Sequence, residues 1–244
     1  MAKHYAIADI HGMFDIYTQV CDILQPDDVV YFLGDACDRG YDGFQCINYI
    51  YSDPQWIYLK GNHEDLMVKG LRNLRDYDFT GRMNDYELWM WNGGYETLEG
   101  WKTDGEDYDW IERLDNLPLT AEYTNEKGVH FFMSHAGYTR GWTEEMWSNE
   151  LIWSRSHFFT PWDEDLYPND ICIHGHTPNE HLVRYLNYRG ITNPYKLGEP
   201  EAITYCDGHK ICIDNGVFYT NATVLYDLDE MKAIPIYDRS GTVM

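Results

Sequence analysis

The sequence predicts an α/β fold, with its leading part laid on a largely parallel sheet and its tail folded into antiparallel hairpins. Three observations carry this expectation. Short apolar runs alternate with amphipathic stretches, as strand–helix crossover units require. Closely spaced strand candidates then crowd the C-terminal part. Finally, 244 residues with 44% apolar content, nine Trp and nine Phe suffice for a sizeable core.

The run HYAIADI (4–10) leads into MFDIYTQVCDIL (13–24), where Phe14, Tyr17, Val20, Cys21 and Leu24 recur at helical spacing. VVYFLGD (29–35) precedes a helical YDGFQCINYIYS (41–52), and QWIYLKG (55–61) precedes EDLMVKGLRNLR (64–75). Residues 76–125 interrupt this rhythm with Trp, Tyr and Gly and an acidic TDGEDYD (103–109). MNDYELWMW and DWIERLDNL look helical within that segment, which reads as a helical insertion or cap. GVHFFMSHAG (128–137) and ICIHGHT (171–177) resume the strands. EAITYC (201–206), KICIDNG (210–216), ATVLYDL (222–228) and AIPIYD (233–238) suit hairpins. With no repeat or flexible linker, one domain over 1–244 carrying the cap is the simplest organisation.

Charge narrows the function. Against 18 Lys plus Arg stand 41 Asp plus Glu, a formal net of −23. Such a surface repels nucleic acids and anionic membranes, so neither is expected as a partner, and a phosphate site must build positive potential locally. None of the six cysteines forms a C-x-x-C pair. No signal-peptide pattern or long apolar run is present, so a reduced cytoplasmic setting is the expectation. Oligomeric state cannot be read from the sequence.

The buried runs end alike: Asp9-Ile10-His11-Gly12, Gly34-Asp35, Gly61-Asn62-His63-Glu64, Ser134-His135-Ala136-Gly137 and Gly175-His176-Thr177. In open α/β sheets the carboxyl ends of strands face one crevice, so these exits can converge. Asp9 and His11, two apart, leave an extended chain on the same face and can hold one ion together. Asp35 can offer one oxygen to each of two ions, with Asn62, His135 and His176 completing the second. The neighbouring glycines let the backbone turn sharply. Imidazole and carboxylate without thiolate favour manganese, iron, zinc or another transition metal over a calcium or magnesium cage. Such a pair of ions keeps net positive charge, binds phosphate and acidifies water.

In this order, D-x-H-G (9–12), G-D-x-x-D-R-G (34–40), G-N-H-E (61–64), H-A-G (135–137) and G-H-T (175–177) resemble the phosphoprotein phosphatase group of calcineurin-like metallophosphoesterases. The similarity is greatest to lambda phage-type bacterial Ser/Thr protein phosphatases and symmetrical diadenosine tetraphosphatases. It implies an α/β sandwich of two mixed sheets flanked by helices, with a helical cap insertion. It also implies two divalent ions, manganese first, with iron, zinc, nickel or cobalt as alternatives. Asp9, His11 and Asp35 then ligate one ion, and Asp35, Asn62, His135 and His176 the other. His63 becomes the general acid, oriented by Asp38, while Arg39 and Arg155 clamp the phosphoryl group. The implied reaction is one-step phosphomonoester hydrolysis by a hydroxide held between the ions.

A phosphorylated protein, at Ser or Thr, or a small phosphoester is the expected substrate. A dinucleoside polyphosphate is the alternative and would need further cations, for which Lys60, Lys69, Arg72, Arg75 and Arg82 are candidates. A non-catalytic metal-binding scaffold is a third reading, disfavoured because all six ligand positions are filled. Cys37 reads as core packing, His174 as structural, and Asp214 as ordering backbone.

Overall fold

Alternate residues of the leading strands enter different cores, which is why their apolar runs are unbroken. The computed structural model describes residues 2–79, 84–138, 144–160, 170–190 and 199–240. Its elements are, in order, β1 (His4–Ile7), α1 (Phe14–Ile23), β2 (Val29–Phe32), α2 (Gly43–Ser52), β3 (Trp56–Tyr58) and α3 (Asn62–Asp76). There follow α4 (Asp85–Trp91), α5 (Tyr95–Thr103), α6 (Asp109–Asp115), β4 (Thr120–Thr124), β5 (His130–Ser134), α7 (Glu144–Trp153) and α8 (Ser156–Phe159). The chain closes with β6 (Asp170–His174), α9 (Asn179–Tyr188), β7 (Ile203–Tyr205), β8 (Lys210–Cys212), α10 (Val217–Thr220), β9 (Ala222–Asp227) and β10 (Lys232–Tyr237).

Two five-stranded sheets result, ordered β10-β9-β1-β2-β3 and β4-β5-β6-β8-β7. Both are mixed: β1, β2 and β3 run parallel, as do β5, β6 and β8, while β9, β10, β4 and β7 pair antiparallel to their neighbours. Tyr5, Ile7, Val30 and Phe32 face α1–α3 and the cap helices, whereas Ala6, Ala8, Tyr31 and Leu33 meet Phe131, Met133, Ile173 and Ile211 of the second sheet. Leu182, Val183 and Leu186 of α9 cover that sheet's outer face. The layers are therefore helix, sheet, sheet, helix. Pro235 sits on β10, an edge strand, where proline is tolerated.

The helical insertion is shorter than residues 76–125. Helix α3 runs through Asp76, and residues 120–124 form β4, paired with β5 from Thr120–Ser134 to Thr124–His130. TAEYT buries no position fully and lies on an edge, so its strand signal is weak. Trp89, Leu98, Trp101, Trp110, Ile111 and Leu114 of α4–α6 belong to the same apolar cluster as the first sheet's outer face. Among the described residues no helix is long and apolar enough to cross a membrane.

Candidate metal centre

Beyond the regular strands the exits stay zipped together. Asp9 N donates to Gly34 O (3.0 Å), His11 N to Asp35 O (3.0 Å) and Gly12 N to Ala36 O (2.8 Å), binding the β1 and β2 turns side by side. In the second sheet Gly175 N donates to His135 O at 2.9 Å. At this junction the sheets are joined by His135 Nδ1, which donates to Leu33 O (2.8 Å), and by His176 N, which donates to the Asp9 carboxylate (3.1 and 3.2 Å). Asp9, His11, Asp35, Asn62, His63, His135 and His176 are all buried at this junction.

The backbone departs from the extended geometry expected at residues 9–11. Asp9, His11, Asp35 and His176 have φ of 53°, 44°, 62° and 67°. Left-handed backbone at non-glycine residues costs roughly 1–3 kcal/mol each and persists where the surroundings enforce it. The side chains thus reach the crevice because the ligand-type residues turn, not only the glycines beside them. Gly175 serves by its size: a Cβ there would strike Asp9 Oδ2.

Tautomers follow from the fixed partners. Leu33 O and Trp153 O can only accept, so His135 carries its proton on Nδ1 and His176 on Nε2. His135 Nε2 and His176 Nδ1 then hold bare lone pairs, each 2.8 Å from Asn62 Oδ1 and 3.2 Å from each other. Burial lowers the pKa of both rings, keeping them neutral. Three lone pairs meet with no proton between them, an arrangement that a cation relieves. On the other side His11 Nδ1 donates to Cys37 O (3.0 Å) and His63 Nδ1 to Asp38 Oδ2 (2.7 Å), leaving both Nε2 atoms bare. Arg39 donates to these two nitrogens at 2.8 and 2.9 Å.

Asp35 stands between the halves, with Oδ2 3.7 Å from His11 Nε2 and Oδ1 3.5 Å from His135 Nε2. Burial would raise its pKa, but His135, His63 and His11 outweigh that and lower it. Burial and the Asp214 and Asp35 carboxylates push Asp9 well up. Ligand atoms within 4.8 Å of one another form two groups, His11–Asp35–His63 and Asp9–Asp35–His135. Asp35 is common to both. Asp9, however, groups with His135 rather than His11, because its carboxylate turns to the His176 N–H.

Glu64 went unassigned in the sequence, although it lies in G-N-H-E. Fully buried, it accepts from Asp35 N (2.9 Å), Ala36 N (2.8 Å), Gly61 N (2.7 Å) and the Tyr58 hydroxyl (2.8 Å). One carboxylate thus ties the turn bearing Asp35 to the start of α3, which bears Asn62 and His63. An acid at the third position of a helix preceded by glycine is the signal that could have revealed it.

Arg155 is exposed and, with Arg39, His176, His181, Tyr185 and Tyr219, lines a groove of about 380 Å³. The other candidate cations are engaged elsewhere. Lys60 and Arg72 bind Asp115 (both 2.6 Å), Lys69 binds Asp65 (2.7 Å) and Arg75 binds Asp76 (2.8 Å), while Arg82 lies outside the described residues. Burial pushes the Cys37 thiol well up, so it is an inert core group. His174 turns from the crevice to the Tyr205 hydroxyl (2.8 Å); the left-handed His176 breaks the alternation that would align them. Asp214 Oδ1 accepts from Gly216 N at 2.8 Å, ordering that turn.

Two stacked mixed sheets whose strand ends gather histidines, carboxylates and an amide around a shared aspartate define a metal-dependent hydrolase. The chain belongs to the calcineurin-like phosphoesterases, whose family model matches residues 3–217. This family uses a dinuclear divalent metal centre, and the groups above are candidate ligands for it. A symmetrical bis(5'-nucleosyl)-tetraphosphatase of Legionella pneumophila (strain Lens) is 28% identical over 215 residues, covering 84% of this chain and 68% of that protein. The fold is shared with a cold-active protein-tyrosine phosphatase of a psychrophilic Shewanella species (16% identity, TM-score 0.58, covering 97% and 78% of the two chains). It is shared as well with a metallophosphoesterase from Sphaerobacter thermophilus (14% identity, TM-score 0.55, covering 98% and 89%).

Proposed function

We propose that this enzyme hydrolyses phosphomonoesters of proteins, at Ser or Thr, and of small molecules. Asp9, His11 and Asp35 would hold one divalent ion, and Asp35, Asn62, His135 and His176 the other. The observation that carries the metal assignment is the meeting of Asn62 Oδ1, His135 Nε2 and His176 Nδ1 without a proton among them. When bound, the ions supply Lewis acidity toward phosphoryl oxygens and lower the pKa of water.

The chain's own residues do the rest. His63 faces the crevice through Nε2 and is fixed by Asp38 at Nδ1; it would act as general acid to the departing oxygen as the imidazolium, with a proton on Nε2 in place of the Arg39 hydrogen bond. Burial alone would make it less basic, but Asp35 and the Asp38 hydrogen bond outweigh that and raise its pKa. Arg39 and Arg155 bring two guanidinium forks to one groove and suit bidentate contacts to phosphoryl oxygens. Among the described residues the neighbouring cations are paired with carboxylates, which supports a substrate with one phosphate over a chain of several.

The sequence relatives favour a second reading, hydrolysis of dinucleoside polyphosphates. Purified protein with manganese is assayed on p-nitrophenyl phosphate, phosphoserine and phosphothreonine peptides, and diadenosine tetraphosphate. Turnover of the peptides at a kcat/KM well above that for the tetraphosphate is expected. The reverse order overturns the proposed substrate, and no turnover of any substrate overturns the catalytic reading.

A further inference from the structure

The helical insertion touches both the partner of His63, Asp38, and the residue after it, Arg39. Trp89 of α4, fully buried, donates its indole Nε1–H to Asp38 Oδ1 at 3.0 Å and to Oδ2 at 3.2 Å. Thr97 of α5 accepts from Asp38 N through Oγ1 at 2.9 Å. Gly93 O, between those helices, accepts from Arg39 N at 3.0 Å. Asp38 and Arg39 both stand in left-handed backbone, φ 67° and 69°, so the insertion grips two consecutive residues in a conformation that L side chains disfavour.

The indole is held by shape as well as by its hydrogen bond. Gly70, on the same helix as His63, and Gly94 border it: a Cβ on either would come within 2.5 Å of Trp89. The ring has little freedom to turn its N–H elsewhere. Asp38 is itself fully buried, and its Oδ2 takes the His63 Nδ1 proton at 2.7 Å. A buried carboxylate stripped of one donor rotates or recruits another, and either response releases the imidazole.

We infer that Trp89 is a positioning residue for hydrolysis, holding Asp38 so that His63 presents Nε2 to the leaving oxygen. The inference rests on the general-acid role of His63 given above. The insertion is thereby a buttress for the acid and for one phosphate-binding arginine, acting through the G-D-x-x-D-R-G turn.

The test compares phenyl phosphate, whose leaving group needs a proton, with p-nitrophenyl phosphate, whose leaving group needs it far less. Trp89→Phe keeps an aromatic ring and removes the donor. Its kcat on phenyl phosphate should fall about tenfold, the worth of one hydrogen bond to a charged group, with KM unchanged and little loss on p-nitrophenyl phosphate. Benzothienylalanine in place of Trp89 replaces N–H by sulfur at nearly constant shape and should behave alike, which covers the case of a Phe variant that folds poorly. Leu114→Ala, in α6 of the same insertion, which makes none of these contacts, should lower thermal stability without separating the two substrates. His63→Asn should show the steeper form of the same selectivity, and adding Trp89→Phe to it should cost nothing further. Equal losses on both substrates in the Trp89 variants, or full additivity with His63→Asn, would overturn the inference alone. A His63→Asn enzyme that loses equally on both substrates would overturn the general-acid reading, and the inference with it.

Discussion

Gly61→Ala isolates what glycine does at the entrance to α3. Gly61 has φ −99° and ψ 178°, backbone that any residue adopts, so alanine meets no conformational penalty there. Space is the obstacle. A Cβ at this position would stand 2.5 Å from Asp35 N and 2.7 Å from Glu64 Oε2, and nearer still to Asp35 Oδ1, where ordinary contact begins at 3.4 Å. Relief requires the Asp35 turn and the Glu64 carboxylate to withdraw by about 0.7–1.1 Å, against four hydrogen bonds that fix Glu64. Overpacking of this kind costs about 1–3 kcal/mol of stability. Displacing a group at the reacting centre by about 1 Å costs about a hundredfold in rate. The assay is kcat on p-nitrophenyl phosphate at saturating manganese, with metal content measured on the same sample. A hundredfold loss with a folded protein is expected. Activity within threefold of the parent would show that Asp35 need not sit where it does, refuting the reasoning.

Two further outcomes are expected. Lys210 is 1% exposed and its Nζ donates to His157 O (2.5 Å) and Thr160 O (2.6 Å), fastening α8 next to Arg155; Lys210→Met should cost about 3 kcal/mol by urea unfolding and lower kcat/KM, and an unchanged midpoint would contradict the tie. Burial raises the thiol pKa of Cys37, Cys46, Cys172 (to about 12) and Cys212, so above pH 9 the unfolded chain releases protons that the folded chain retains. Stability should therefore fall as pH rises past 9, by up to about 1.4 kcal/mol per thiol per unit, with Lys210, whose pKa burial lowers, opposing in part. Urea midpoints under reductant at pH 8 and pH 10 measure this, and equal midpoints would contradict it.

Much of the crevice was legible because its residues sit at the ends of apolar runs, and strand direction fixes where such ends gather. The tail hairpins were legible because short turns separate β7 from β8 and β9 from β10. Their division between two sheets was not, since one strand's pattern says nothing of which partner lies beside it. The departure of Asp9 and His11 from the extended backbone assumed for them was not legible, because neighbours in the fold, not the local sequence, hold those residues left-handed. His174, read as structural, does turn from the crevice to the Tyr205 hydroxyl. Trp89 gave no signal at all. A tryptophan in an aromatic-rich insertion looks like core, and only the fold brings its N–H to a carboxylate 51 residues earlier in the chain.

The central claim is that Asp35 serves two ions at once. Crystals grown with manganese, with anomalous scattering recorded at the manganese edge, test it most directly. Two peaks per chain are predicted, one toward His11 and the other among Asn62, His135 and His176, with an Asp35 oxygen directed at each. A single peak, or two peaks that both lie away from Asp35, would contradict the account.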